Sequence, residues 1–263
     1  MSWYEQGFDG VAKEEARLDA LKTPKRLWIK GGQGRELVLL DDVPFCIFEH
    51  NAKVNGSWRN HHTCMRGFED PCYSCTELGD RSRSYTGYLT CVDCSLWEDG
   101  RGNRHQYEVT LVGGKLNLIK KWRRKRDESE SGTLCLTRWH VHRESENEPA
   151  TGDEWECRGP VKDPARMFEL AVFRGKKLSE WWDDAEEDEL KMKNLRRMFK
   201  VEFDPEDDGR LVRRVVPFNY MEVLKPRGNA FAKELLRGLD PAEPSGGSSG
   251  SGGTPGTAED VPF

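Results

Sequence analysis

The chain has 263 residues, a third of them charged, with eight cysteines and a formal net charge of −5. That length allows one substantial core with appended elements or two small domains. The first residues show neither a basic start nor an apolar run, and no stretch approaches the roughly 20 apolar residues of a membrane helix, so a soluble, cytoplasmic protein without a membrane partner is expected. Eight cysteines in such a chain read as thiols and metal ligands rather than disulfides. The negative total does not suggest a nucleic-acid binder, so the placement of the charges has to decide.

Residues 9–22 (DGVAKEEARLDALK) read as a short amphipathic helix with Asp9 as cap, within an N-terminal segment 1–25. Apolar runs follow at 26–30, 35–40 and 45–49. The connectors Gly31-Gly32-Gln33-Gly34 and Asp41-Asp42 have turn chemistry.

The stretch from His50 to Cys75 holds His50, Cys64 and the pair Cys72-Tyr-Ser-Cys75. A lone Cys-x-x-Cys is two buried thiols or a redox pair, but here soft ligands lie upstream and no thioredoxin-like pattern surrounds it. Zinc takes four nitrogen or sulfur donors in a tetrahedron, and a Cys-x-x-Cys turn presents two of them. Two completions are open. Cys91 and Cys94 give a ribbon spacing, yet 85–96 reads as a strand, on which residues three apart face opposite ways. His50 and Cys64 each end a strand-like run around the turn Asn55-Gly56, where a hairpin brings those ends together. The expected ligands of one structural Zn2+ are therefore His50, Cys64, Cys72 and Cys75. Cys46, Cys135 and Cys157 sit in strand-like apolar runs and read as core.

The strand 85–96 turns at 99–102 and returns to Leu111 as a hairpin. Gly113-Gly114 then open a helix over 115–126, and strands follow at 133–141 and 153–157. Helices are expected at 185–199 and at 229–238, the second capped by Asn229, with a strand at 210–220. From Pro244 to Thr257 the chain is Pro, Ser, Gly and Thr, too poor in apolar surface to order itself.

The pattern HNAKVNGSW…TC…PCYSC resembles the zinc-binding core of the T4-type phage gene 32 single-stranded DNA-binding proteins. Carried over, the ligands fall on His50, Cys64, Cys72 and Cys75, and a tryptophan of the family falls on Trp58. Loop lengths differ, and tyrosine stands for the proline inside the knuckle. The specific likeness covers about 35–95. It implies a mainly β (α+β) chain built on an OB-type barrel, with peripheral helices and a zinc subdomain near 50–80 inside a core of 26–240. It also implies that Arg81, Arg83 and Tyr85 contact DNA, with Trp58 beside them. A linker at 241–257 and a tip at 258–263 complete the expected organisation. The tip, ending Asp260-Val261-Pro262-Phe263, resembles the partner-docking tip of bacterial single-stranded DNA-binding proteins.

Single-stranded nucleic acid needs cations along its phosphates and aromatic faces for its bases. The sequence interleaves them: Arg26, Trp28 and Lys30; Trp58 and Arg59; Arg81, Arg83, Tyr85 and Tyr88; Trp97, Arg101 and Tyr107; and the run Lys120, Lys121, Trp122, Arg123 to Arg126. Each alone is equally a core aromatic or a solvated cation. The acids are segregated elsewhere, at Asp183 to Glu189 and in the tip. No nucleotide-binding glycine loop or nucleophile motif is present, and a zinc with four protein ligands has no open position for water, so no enzyme and no small-molecule substrate are expected. The expectation is a phage protein that coats single-stranded DNA in replication, recombination and repair, recruiting replication and recombination partners through its tip. The alternative is a zinc-ribbon adaptor of a transcription or primase complex.

Overall fold

The computed structural model describes residues 24–54, 57–79, 82–129, 132–207 and 210–238, and for 57–60 the main chain alone. The expected helix at 9–22, the linker and the tip lie outside these residues.

A nine-stranded sheet organises the chain. Its central strand, β4 (Arg83–Asp93), is buried from Thr86 to Asp93, because both of its faces are covered. On one edge β4 pairs with β7 (Glu108–Lys115), from Thr86 opposite Lys115 to Asp93 opposite Glu108. Two strands share its other edge, end to end. β1 (Gln33–Leu39) takes the C-terminal half of β4, and β2 (Phe45–Val54) takes the N-terminal half. Between them Asp41 pins the kink, its carboxylate accepting the Thr90 N–H at 2.7 Å. β2 continues into a hairpin with β3 (Ser57–Thr63), as the Asn55-Gly56 signal predicts. The short strands β5 (Trp97–Glu98) and β6 (Arg104–His105) form the tip of the β4–β7 hairpin. β8 (Thr137–Arg143) pairs with β1, and β9 (Glu154–Pro160) with β8.

Alternation along these strands feeds two cores. One face presents Leu37, Leu39, Leu89, Val112 and Trp139. It is covered by Leu27 and Ile29 and, across the end, by Leu118 and Trp122 of a helix, Leu116–Glu128. The other face presents Val38, Tyr88, Val92, Val109 and Leu111 to the C-terminal third of the chain. The extended segment 25–29 runs from β7, where Leu27 N–H donates to the Leu111 carbonyl at 2.7 Å, to the β8–β9 turn, where Ile29 N–H reaches Ala150 at the same distance.

The helices are numbered α1 (Tyr73–Leu78), α2 (Leu116–Glu128), α3 (Pro164–Leu170), α4 (Leu178–Glu187), α5 (Glu189–Met198), α6 (Tyr220–Val223) and α7 (Gly228–Leu235). Two short strands, β10 (Val172–Phe173) and β11 (Lys176–Lys177), extend the sheet beyond β7. Helix and strand take about 30% and 33% of the described residues, so the fold is mixed α/β with one large sheet rather than mainly β. Among the described residues β7 and β9 do not pair and the sheet does not close into a barrel.

Local expectations are corrected in four places. Gly113 and Gly114 end β7 instead of opening α2; a Cβ at Gly113 would lie 2.8 Å from the Tyr88 ring, and one at Gly114 2.8 Å from Leu118. The helix expected at 185–199 is divided, because Asp188 leaves helical geometry and its carboxylate accepts the N–H groups of Leu190 and Lys191. The stretch 210–220 forms only isolated bridges, Phe203 to Leu211 and Phe199 to Phe218, while packing across α4 and the sheet. Cys157 is exposed although it pairs with buried Trp139, because it lies on the edge strand β9, of which only Trp155 is buried. No helix of the described residues is long and apolar enough to cross a membrane.

Candidate metal centre and nucleic-acid interface

The β2–β3 hairpin sets His50 opposite His62 and brings Cys64, the residue after β3, beside them. Cys72 occupies the N-cap position of α1 and Cys75 its first turn. All four donors are buried, and their ligand atoms lie within 4.8 Å of one another. Cys64 Sγ is 3.7 Å from Cys75 Sγ and 4.0 Å from Cys72 Sγ. His50 Nε2 is 3.5 Å from Cys75 Sγ and 3.7 Å from Cys72 Sγ. A tetrahedral ion with metal–sulfur bonds of about 2.3 Å and metal–nitrogen bonds of about 2.0–2.1 Å requires separations near 3.8 Å and 3.6 Å. The cluster can hold a metal ion, and its donors and spacing are compatible with zinc.

The surroundings prepare each ligand. Ser82 Oγ donates to the Gly79 carbonyl at 2.7 Å, so the oxygen it turns 3.0 Å from His50 Nδ1 accepts that ring's proton. This leaves the lone pair of Nε2 facing the thiols. Burial, followed by His62 and nearby arginines, pushes the His50 pKa down to about 4, so the ring is neutral and able to ligate. Cys72 is buried, which alone would raise it, but main-chain N–H groups of Cys75 and Met65 point at its sulfur and bring it below the ordinary thiol range. Burial and the neighbouring thiols push Cys75 up to about 12. His62 stacks on His50 and is held by Ser74, 2.6 Å from its Nε2, outside the ligand set. Asn229 does not cap α7. Its side chain clamps the knuckle, accepting the Tyr73 N–H at 2.8 Å and donating to the Pro71 carbonyl at 2.9 Å.

Cys91 and Cys94 do not contribute. Cys91 is in the first core and Cys94 packs against the second, on opposite sides of the sheet. Burial raises both thiols, Cys94 to about 12.

No protein-family description, curated protein or solved structure matches this chain.

The expected nucleic-acid residues fall on several surfaces. Along 26–30 the even residues leave the core that Leu27 and Ile29 enter, so Arg26, Trp28 and Lys30 share an outer side. Trp28 is 48% exposed, and Lys30 is exposed. Arg143 lies 6.0 Å from the Trp28 ring, its guanidinium held by the carbonyls of Ile29 and Glu148. Arg26 donates to Glu49 Oε2 at 3.0 Å. That buried carboxylate also takes the hydroxyls of Thr86 at 2.8 Å and Tyr88 at 2.5 Å, with Lys115 at 3.4 Å and His61 at 3.5 Å. Burial opposes its charge, but His61 and Arg26 prevail and hold Glu49 well below the ordinary carboxylate range. The ends of Arg26, Lys115 and His61 are thereby gathered over one carboxylate. Neither Glu49 nor Lys115 stands out in the sequence, because the strands that join them are distant in the chain.

On the opposite face of β2 and β4, Tyr85 meets Phe48 with Arg83 above it. The side chains of Trp58 and Arg59, and all of Arg81 and Asp260 to Phe263, lie outside the described residues. Lys120 and Arg123 are exposed on α2, while Lys121 donates to the Asp153 carbonyl. Trp97 stacks on His105 at 4.3 Å beneath Arg35, and Tyr107 packs against the second core. These two belong to the β5–β6 end, away from the hairpin.

Two expectations are overturned. Tyr88 is fully buried, with its hydroxyl committed to Glu49, and Trp122 is 1% exposed in the first core against Trp155. Neither ring can stack on a base. Both face inward because alternation from Tyr85 reverses at Tyr88, and because α2 turns Leu118 and Trp122 to the sheet.

Proposed function

We propose that this chain is a single-stranded DNA-binding protein of OB type, carrying one structural zinc and acting in phage DNA replication, recombination and repair. The observation that carries it is the half-exposed Trp28 between Arg26 and Lys30 on one side of an extended segment, propped by Arg143. An aromatic ring left exposed among positioned cations suits stacked bases whose phosphates pass alongside. The negative total is no obstacle, because the acids are engaged elsewhere: Asp183 pairs with Arg213 at 2.8 Å, and Asp184 with Lys176 and Lys191.

The OB reading draws support from the order β7-β4-β1-β8-β9, with α2 crossing from β7 to β8 over the end of the core. At the open side of the sheet the segment 25–29 runs from β7 to the β8–β9 turn. Zinc is favoured over other soft-ligand metals by three thiolates and one imidazole at tetrahedral separations. With these four protein ligands a zinc would tie β2, the end of β3 and α1 together and would have no position for a reacting water, which supports a binding role for the site rather than a catalytic one. The tip Asp260-Val261-Pro262-Phe263 would recruit replication and recombination proteins.

Titration of the purified chain with fluorescent oligo(dT) and with the matching duplex, at low and moderate salt, tests the reading. Strong binding to the single strand alone, falling steeply with salt, is expected. Equal binding to both, or none, would sink it and leave the zinc-adaptor reading.

A further inference from the structure

We propose that His140 and His142, on the outer face of β8, form a second metal site that takes one first-row divalent ion of the nickel, copper or zinc type. The site is separate from the cysteine cluster and does not rest on the DNA reading.

Along β8 Trp139 and Val141 enter the first core, so His140 and His142 both stand on the other face. Further along, that face buries Val38 under the C-terminal third of the chain. At the two histidines the cover has ended, and their side chains are 35% and 33% exposed. Glu36 of β1 lies opposite His140, and its carboxylate accepts the His140 Nδ1–H at 2.8 Å. Glu154 of β9 lies opposite His142, with Oε2 3.9 Å from Nδ1. Each ring therefore turns Nδ1 to a carboxylate, and neither Nε2 has a partner among the described residues.

Gly34 completes the arrangement. It is the β1 residue directly opposite His142, and the His140 ring lies across it: a Cβ there would meet His140 Cε1 at 2.8 Å and Nε2 at 3.0 Å. The missing side chain thus carries His140 Nε2 toward the place of His142. Cross-strand charge pairing accounts for each histidine–glutamate contact singly. It does not account for two neighbouring rings that both leave the second nitrogen free, beside a gap in the side chains of the sheet. An imidazole with Nδ1–H fixed on a carboxylate and Nε2 unoccupied is poised to ligate a metal. Nitrogen donors suit nickel, copper and zinc. With only two protein ligands, the remaining positions stay open to water or to a donor from another molecule, unlike those of the closed cysteine cluster.

The test is calorimetric titration of the untagged, full-length chain, loaded with one equivalent of zinc, with nickel chloride while zinc release is followed. One equivalent of nickel should bind with no zinc released. His140→Gln and His142→Gln, each checked for Tm, should remove this binding. Glu36→Gln should weaken it by about tenfold or more, the loss expected when a ligating imidazole loses its carboxylate. Cys157→Ser, which deletes the exposed thiol of the neighbouring strand, should bind nickel like the parent. On the unaltered chain, paramagnetic nickel should broaden the NMR signals of β1, β8 and β9 and spare those of β2 and β3. Nickel taken up only in exchange for zinc, or binding that survives both histidine substitutions, would overturn the site. So would loss of binding in Cys157→Ser, or broadening confined to other strands.

Discussion

The main-chain N–H of Cys64 donates to the carbonyl of Phe48 at 2.9 Å. A metal ligand and a half-exposed aromatic ring thus sit at the two ends of one hydrogen bond. Chelation should therefore do more than extract an ion. Mass spectrometry should find one zinc per chain, absent in Cys75→Ser. In the stripped protein the amides of β2 and β3 should exchange faster while those of β8 and β9 stay protected. Because thiols must lose protons to ligate, zinc uptake should release protons and weaken as pH falls. A Cys75→Ser chain retaining a full equivalent of zinc would contradict the ligand set.

Glu49 is the point on which Arg26, Lys115, His61, Thr86 and Tyr88 converge. Glu49→Gln keeps the shape but removes the charge from a buried pair. It should lower unfolding free energy in urea by about 2–4 kcal/mol. A change within a few tenths would mean that these cations are solvated independently.

Burial pushes the carboxyl of Asp93 up to about 6, against the opposing pull of Arg35 at 3.8 Å. The folded chain then binds this proton more tightly than the unfolded one. The group favours folding below the ordinary value of 3.8, and that contribution is lost as pH rises through about 6. Asp93→Asn lacks this titration. The stability of the variant minus that of the parent should therefore rise by about 2–3 kcal/mol between pH 4 and pH 7, measured by urea unfolding at each pH. A flat difference would place the Asp93 pKa near its ordinary value.

Tyr220 joins the C-terminal third to the sheet through one hydroxyl, 2.5 Å from the Asp41 carboxylate and 2.7 Å from Thr90 Oγ1. Tyr220→Phe deprives a buried carboxylate of a donor and should cost about 1–3 kcal/mol. Proteolysis should then cut first in the region after Val161, if this contact secures it as the geometry indicates.

The metal site was the most legible part of the chain, because cysteine spacing and the Asn55-Gly56 turn are local signals and the β2–β3 hairpin converts them directly into a cluster. The β4–β7 hairpin and α2 were legible for the same reason. What depends on distant pairing was not. Tyr88 looked like its neighbour Tyr85, but the next strand face belongs to a second core that only the C-terminal helices create. Glu49 gave no signal, since its partners come from four separate stretches. Phe48 is simply one residue of an apolar run in the sequence, and nothing local marks it as exposed.

β1 and β2 share one edge of β4, so the metal-bearing hairpin is not a module hung on two tethers. On that edge Arg83 to Tyr88 pair with the hairpin's β2 and Cys91 to Asp93 with β1 of the body of the fold. Excising 45–82 would leave six residues of β4 with an open edge in the middle of the molecule, a template for pairing with another chain. The hairpin and the body can be shortened or grafted only together, and lineages carrying this arrangement would be expected to vary in the hairpin's loops while holding the length of β4 fixed.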